Sequence, residues 1–346
     1  MTPHGQLWSV VNDVVQDPHI NDSYLQHTKL ILPDNAQEST SPLQFFYTLF
    51  PIQFLFGTII PATNDELTNK SKSLTNEGEI IKFLGITLAM AIDPVRGGIS
   101  SYWEQPTNEY IETTTQSRNY GQRFKMSRNR FNELRNCLRC CRNSADGMIN
   151  NGNSVQDIDK WLPIRPFVDA FNKCRREHVK PGEILVVDEL MSMWYGLDGK
   201  YALEGAPHVT KIQRKPRGVG VEIKAVCDGE SNIMLGLEIM EGVLRQHAKE
   251  YHAAYGSGTS ITLRLCSPWR GSGRTIIGDS AFASVKTLIA LHKELSLFFM
   301  GIVKTASTKF PKQFMQKWYS DGCNMIPARQ PGSWITLRVS YNTCKR

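Results

Sequence analysis

Two short apolar runs in this chain each stop at an acid: Ile184-Leu-Val-Val-Asp188-Glu189 and Thr275-Ile-Ile-Gly-Asp279-Ser280. Each reads as a buried strand with a carboxylate at its end, and an acid placed there is costly unless it faces a cation or a cleft. Two such acids on neighbouring strands would meet in space. A carboxylate pair is the usual holder for Mg²⁺ at a phosphoryl-transfer site, because the hard cation prefers oxygen ligands. Two metals about 4 Å apart would activate a water or a 3′-hydroxyl and stabilise the leaving oxygen. The plainer alternative is a pair of ordinary strand-end acids, and spacing alone leaves both open. Gly278-Asp279-Ser280 also has the form of the nucleophile turn of a G-D-S hydrolase, which would need a His base beside the Ser. That motif belongs near the start of its domain, whereas three strands precede it here. His292 also lacks the expected D-x-x-H context.

Bringing Asp188 and Asp279 together requires a sheet, and the apolar periodicity predicts one. Strands are expected at 184–193, 221–228 and 234–240, the last two joined by the turn Asp228-Gly229-Glu230-Ser231-Asn232 as an antiparallel hairpin. A helix over 243–255, a strand at 275–278, a helix over 284–294 and a strand at 298–304 follow. Antiparallel strands first and helical crossovers later imply an α/β fold, a mixed sheet with flanking helices. If the fourth strand pairs with the first, Asp188 and Asp279 lie side by side, which is the ribonuclease H-like arrangement.

Upstream, from 43 to about 142, the pattern is helical. The stretch 77–92 is apolar almost all round and is expected as a buried helix, ended by Pro94 and Gly97-Gly98. Ser127 predicts an N-cap for a helix over 128–141. That helix would carry Phe131, Leu134, Leu138 and Cys141 on one arc and Arg128, Arg135, Arg139 and Arg142 on the next. The arginine arc is either a solvated face or a phosphate-contacting ridge. A loop is expected over 143–158 and a helix over 166–178. The organisation that results is a polar, poorly ordered segment over 1–40, a mainly α-helical region over 41–180 and the sheet domain over 181–346.

The bulk numbers agree with a globular protein of two or three domains: 346 residues, 41% hydrophobic and 21% charged. Charge is uneven. Residues 1–110 hold 5 Lys/Arg against 12 Asp/Glu, and the remainder holds 35 against 21. A polyanion partner for the second part is one reading of that asymmetry, and an ordinary basic surface is the other. The run Lys211-Ile-Gln-Arg214-Lys215-Pro216-Arg217, with Lys224 just beyond it, sits beside the proposed carboxylates, where a nucleic-acid backbone would pass. Eight cysteines form no disulfide framework, which suggests a reducing compartment. Cys137, Cys140 and Cys141 lack a second pair at zinc-finger spacing, so no zinc is expected. No signal peptide is expected. The apolar stretch 43–60 holds Gln44, Thr48, Pro51 and Gln53, which suits two short buried helices better than a membrane span.

The chain resembles the piggyBac family of transposases and their domesticated relatives over roughly 42–345. Leu84-Gly85 followed by Ser101-Tyr102-Trp103 resembles "GLxxxMG…DYW", and Met126-Ser-Arg-Asn-Arg-Phe131 resembles "MSRxRF". Asp159-Lys160-Trp161 through Pro166 is similar to "DKLxKVRP", and Pro181-Gly182-Glu183 leading to Val187-Asp188-Glu189 is similar to "PGExLSVDE". Lys215-Pro216-Arg217-Gly218 with Lys224 resembles "NKPxKxGIK", and Cys227-Asp228 resembles the "CD" after it. Asp279-Ser-Ala-Phe282-Ala-Ser284 resembles "DNxFTS", with Ser280 in place of Asn and Ala283 in place of Thr. Gly301-Ile-Val-Lys304 resembles the strand "GTVRKNRK".

The resemblance implies Mg²⁺-dependent DNA cleavage and strand transfer at transposon ends, with Asp188 and Asp279 as catalytic metal ligands. It also implies DNA contacts from Lys211, Arg214, Lys215, Arg217, Lys224, Arg128, Arg135 and Arg139. A helical DNA-binding and dimerisation region, a possible homodimer, a nuclear location and no membrane association go with it. The family's third Asp lies in "YNxxMGGVD", and no G-G-V-D occurs here; Tyr341-Asn342 is followed by Thr-Cys-Lys-Arg346, and Asp321 falls too early. The expectation is therefore a truncated, catalytically impaired transposase. A domesticated, non-catalytic DNA-binding protein is the alternative.

Overall fold

Asn76 and Ser127 show how local sequence starts the helices that build this protein. In the computed structural model the Asn76 side chain accepts the Glu79 N–H, and Ser127 Oγ accepts the Arg130 N–H at 3.1 Å. Each satisfies one of the orphan donors of a first helical turn. The structure describes residues 27–32, 41–95, 98–104, 119–142, 161–193, 209–211, 218–302 and 310, and the backbone of two strands, 8–10 and 337–339. The chain divides into a helical unit, Pro33–Cys174, and a sheet unit made of Met1–Leu32 and Arg175–Arg346.

The helical unit contains α1 (Pro42–Leu49), α2 (Ile52–Asn69, with a π-helical turn at Leu55–Ile59), α3 (Glu77–Ile92), α4 (Tyr120–Phe124), α5 (Arg128–Cys137) and most of α6 (Arg165–His178). Pro51 separates α1 from α2, as its missing N–H requires. The core joins Leu55, Ile59 and Leu67 of α2, Ile80, Phe83 and Ile86 of α3, and Phe131 and Leu134 of α5.

Two expectations change here. First, α3 buries one face only: Leu88 is 50% and Ile92 85% exposed. Apolar residues all round a helix do not say which stripe finds a partner. Second, α5 ends at Cys137 rather than 141, because Leu138 turns extended. Leu138 and Cys141 therefore leave the helical arc. Replacing Ser127 with Ala should cost the helical unit about 1 kcal/mol, read as a lower urea midpoint with an unchanged slope.

The sheet unit begins with β1 (Trp8–Val10) and β2 (Lys29–Leu30). It continues through β3 (Val179–Lys180), β4 (Ile184–Met193), β5 (Thr210–Lys211), β6 (Val219–Asp228) and β7 (Met234–Ile239). After α7 (Val243–Ala248) and α8 (His252–Cys266) come β8 (Thr275–Gly278), α9 (Val285–Ala290) with a π turn to Leu295, β9 (Phe298–Gly301) and β10 (Leu337–Val339). The single helix expected over 243–255 is two, because Tyr251 adopts a left-handed backbone at φ 65° between them.

The main sheet runs β7-β6-β4-β8-β9, with β5 also on β6. β6 pairs antiparallel with β4 and β7; β8 pairs parallel with β4 and with β9. The fourth strand of the expected order does pair with the first. Leu185, Val187, Val226 and Ile276 are buried on one face of the sheet, and α8 packs against β6 and β7. Ile184, Asp188 and Leu190 occupy the exposed alternate positions of β4. Two further antiparallel pairs, β1 with β10 and β2 with β3, complete the unit. Among the described residues no single helix is long and apolar enough to cross a membrane. α1 and α2 reach that length and composition only as a pair bent by 74°.

Candidate functional site

The β4–β8 register runs from Ile184↔Thr275 to Val187↔Gly278. Asp188 and Asp279 are the next residue on each strand, so they leave adjacent central strands side by side, about 4.8 Å apart in backbone spacing. Asp188 is exposed, and its Oδ1 accepts the Glu189 N–H at 2.7 Å. Asp279 is half-buried. Its Oδ1 accepts the Ala281 N–H at 2.8 Å, and its carbonyl accepts the N–H groups of Phe282 and Ala283, closing the turn that leads to α9. Ser284 then caps α9 by accepting the Thr287 N–H. In each Asp one carboxylate oxygen is held by backbone and the other points away from it.

Asp228 and Cys227, near this pair, are otherwise engaged. Asp228 is 1% exposed, and its carboxylate accepts from Gly182 N–H, Ser231 N–H, Ser231 Oγ and Thr28 Oγ1. Burial alone would push its pKa up, but those hydrogen bonds outweigh burial and hold it below the usual carboxylate range. The Cys227 thiol, on the same face as Asp188, is pushed up by burial and by the nearby Asp188 and Asp228 charges, so it stays protonated. Among the described residues no group of three or more His, Cys, Asp or Glu side chains could hold a metal ion. The pair nevertheless suits Mg²⁺, which is commonly bound by one or two carboxylates together with substrate phosphate and water. The Cys140 thiol is likewise raised by burial and then by Cys141.

The basic residues singled out in the sequence fall into three groups. Arg128 and Arg135 on α5 are exposed and form no ion pair with a described residue. Lys211, in β5, is exposed; Arg214, Lys215 and Arg217 lie outside the described residues. Arg139 and Lys224 are engaged by carboxylates of the protein itself. Arg139 pairs with Glu66 at 2.9 Å and donates to the carbonyls of Asn136 and Leu138, which closes the end of α5. Lys224 is buried between Glu189 at 3.2 Å and Glu222 at 2.6 Å. With its side chain 10% exposed and held by two carboxylates, Lys224 is packed inside the sheet unit.

Sequence reasoning also missed Arg130 and Asp228. Arg130 makes a bidentate pair with Glu79 and donates to the carbonyls of Ser73 and Leu74. The charge of Arg130, followed by burial and Glu133, shapes this cluster: the Arg130 bond leads in holding Glu79 low, and the Glu79 bond leads in raising Arg130. The signal was present as an arginine two residues inside a capped helix start.

The family model described as Transposase IS4 matches residues 41–339. The chain belongs to this family, the piggyBac-type transposases. A cryo-EM structure of a piggyBac transposase synaptic complex with hairpin DNA is similar at TM-score 0.62 and 23% identity. The match covers 84% of this chain and 56% of that one, so this chain spans little more than half the length of its structural relative. At that identity the likeness speaks for fold: the mixed sheet with flanking helices is similar to piggyBac transposase, whose catalytic domain has a ribonuclease H-like fold. No curated protein sequence matches.

Proposed function

We propose that this piggyBac-type protein binds DNA and holds a divalent cation between Asp188 and Asp279, with DNA cleavage and strand transfer as the ancestral reaction and impaired turnover in this chain. The observation that carries the reading is the parallel β4–β8 register, which sets two carboxylates at the same level of adjacent central strands. Bound Mg²⁺ would supply charge neutralisation at a scissile phosphate and a lowered pKa for an attacking water or 3′-hydroxyl. Asp188 and Asp279 would supply its protein ligands, and their backbone-held oxygens fix the direction of the free ones. The impairment reading rests on the two carboxylates that the register sets side by side, since a two-metal site would draw on more than two. The test is Mg²⁺-dependent nicking of transposon-end DNA by the purified chain. Turnover near that of a complete carboxylate triad, abolished by Asp188→Asn, would overturn the impairment; no Mg²⁺ binding at all would overturn the site.

A DNA partner would fit a nuclear location, and the family's mode of action favours a homodimer, which light scattering of the purified chain would detect. The second reading, a DNA-binding protein without catalysis, is favoured by Arg128 and Arg135, whose guanidinium groups are exposed on one helix. If that face contacts phosphates, Arg128→Ala with Arg135→Ala should weaken binding to any duplex. The double substitution should also reduce the magnitude of the salt slope, d log K/d log[salt], by about 2, close to one unit per lost phosphate contact. An unchanged slope in a fluorescence-anisotropy titration removes these two residues from the interface.

A further inference from the structure

Lys224 links the two acids from the reverse face of the sheet. On β4 the side chains alternate, so Asp188 faces one side and Glu189 the other. Glu189 stands opposite Lys224 in the β4–β6 register, and Lys224 Nζ bridges Glu189 at 3.2 Å and Glu222 at 2.6 Å. The Lys224 side chain is 10% exposed, and those of Glu189 and Glu222 are 7% and 13%. The same ammonium lies 4.9 Å from the centroid of the Phe282 ring, a cation–π distance. Phe282 is 3% exposed and is the residue whose N–H closes the Asp279 turn. Its Cβ approaches so near to Gly278 that a Cβ added there would lie 3.0 Å away. One buried cation therefore fixes the residue after Asp188 and the turn after Asp279.

We propose that Lys224 is a positioning residue: through Glu189 and Phe282 it sets the spacing and direction of the Asp188 and Asp279 carboxylates, so that both can ligate one divalent cation. The inference rests on the metal reading above and adds to it a residue that touches neither the cation nor DNA. A buried ion pair of this kind is weak evidence for stability in itself, because desolvation offsets much of the attraction. Its effect on geometry is sharper. Groups behind metal ligands typically change affinity 10–100-fold when removed, and a shift of about 1 Å at a reacting centre costs about 10²-fold in rate.

The test uses the full chain and Mn²⁺ as the probe, with free Mn²⁺ counted by electron paramagnetic resonance. Lys224→Met should weaken Mn²⁺ binding about tenfold or more. Lys224→Arg, which keeps the charge, the bridge and the ring contact, should stay within about threefold of the unaltered chain. Phe282→Leu should weaken binding about threefold while leaving both ion pairs. Lys224→Met should leave the salt slope of DNA binding unchanged, which a phosphate-contacting lysine would not. Unaltered Mn²⁺ affinity in a folded Lys224→Met chain, or equal loss in Lys224→Arg, overturns the positioning role. Where Lys224→Met does not fold, unaltered affinity in Phe282→Leu overturns it instead. If Asp188→Asn leaves Mn²⁺ binding unchanged, the metal reading itself has failed and this inference falls with it. Binding lost in Asp188→Asn but kept in Lys224→Met overturns the positioning role alone.

Discussion

Replacing Asp228 with Ala is expected to destabilise the sheet unit by about 3 kcal/mol, among the larger effects for a single polar residue. Its carboxylate is 1% exposed and gathers four donors from three separate segments: Thr28, Gly182 and Ser231. Truncation leaves those donors without their acceptor in a buried place, and the desolvation penalty of unsatisfied groups dominates. The effect should depend on pH. Hydrogen bonds hold the folded-state pKa of Asp228 below its ordinary value. Its contribution is therefore fully present above the unfolded-state pKa of about 3.9. It is lost as pH falls through the lower folded-state value. Chemical denaturation followed by circular dichroism should show a full gap between the native chain and Asp228→Ala near pH 7, narrowing only below about pH 4. A gap that is constant down to pH 3, or absent at pH 7, contradicts this account.

Asp188→Asn should behave in the opposite way. Asp188 is exposed and accepts one backbone hydrogen bond, from Glu189, so stability should change by less than about 0.5 kcal/mol. Divalent-cation binding, by contrast, should fall about 100-fold or more, because one of two carboxylate ligands becomes a neutral amide. Asp279→Asn should repeat the result. On this account the three aspartates would separate function from folding: Asp228 holds the scaffold, whereas Asp188 and Asp279 would serve the cation. Loss of stability in Asp188→Asn comparable with Asp228→Ala would make Asp188 an ordinary structural acid.

The pairing of Asp188 with Asp279 was legible because it needs only two local signals and one topological step. Each apolar run marks a buried strand, while the hairpin signal at Asp228–Asn232 joins only the second and third strands; the pairing of the fourth strand with the first stood as a condition, and the observed register supplies it. The observed strands Ile184–Met193 and Thr275–Gly278 match that reading end to end. Lys224 was not legible as a buried residue, because its neighbours in sequence suggest a basic surface while its partner Glu189 lies 35 positions away. A clue did exist: Glu222 and Lys224 share a face at strand period two, a charged pair where apolar residues are the rule. The role of Asp228 was read only as a turn, since nothing local announces a bond from Thr28, 200 residues upstream. The exposed side of α3 escaped for a different reason. Leu88 and Ile92 carry the same hydrophobicity as Ile80 and Ile86, and only the packing partners decide which are covered.

The division of the chain has a consequence for biosynthesis. The sheet unit is built from residues before Leu32 and after Arg175, so the helical unit is an insertion within it. Strand Lys29–Leu30 must wait for Val179–Lys180 to emerge, and Thr28 must wait for Asp228. The helical unit is contiguous and can fold on the ribosome as soon as it is synthesised. Residues 28–30 cannot; they are made before their partners and dock only after them, closing a loop whose entropic cost falls once the inserted unit has already shortened it. Docking of this one segment therefore lags its synthesis, and it reports that the chain has been made at least as far as Asp228.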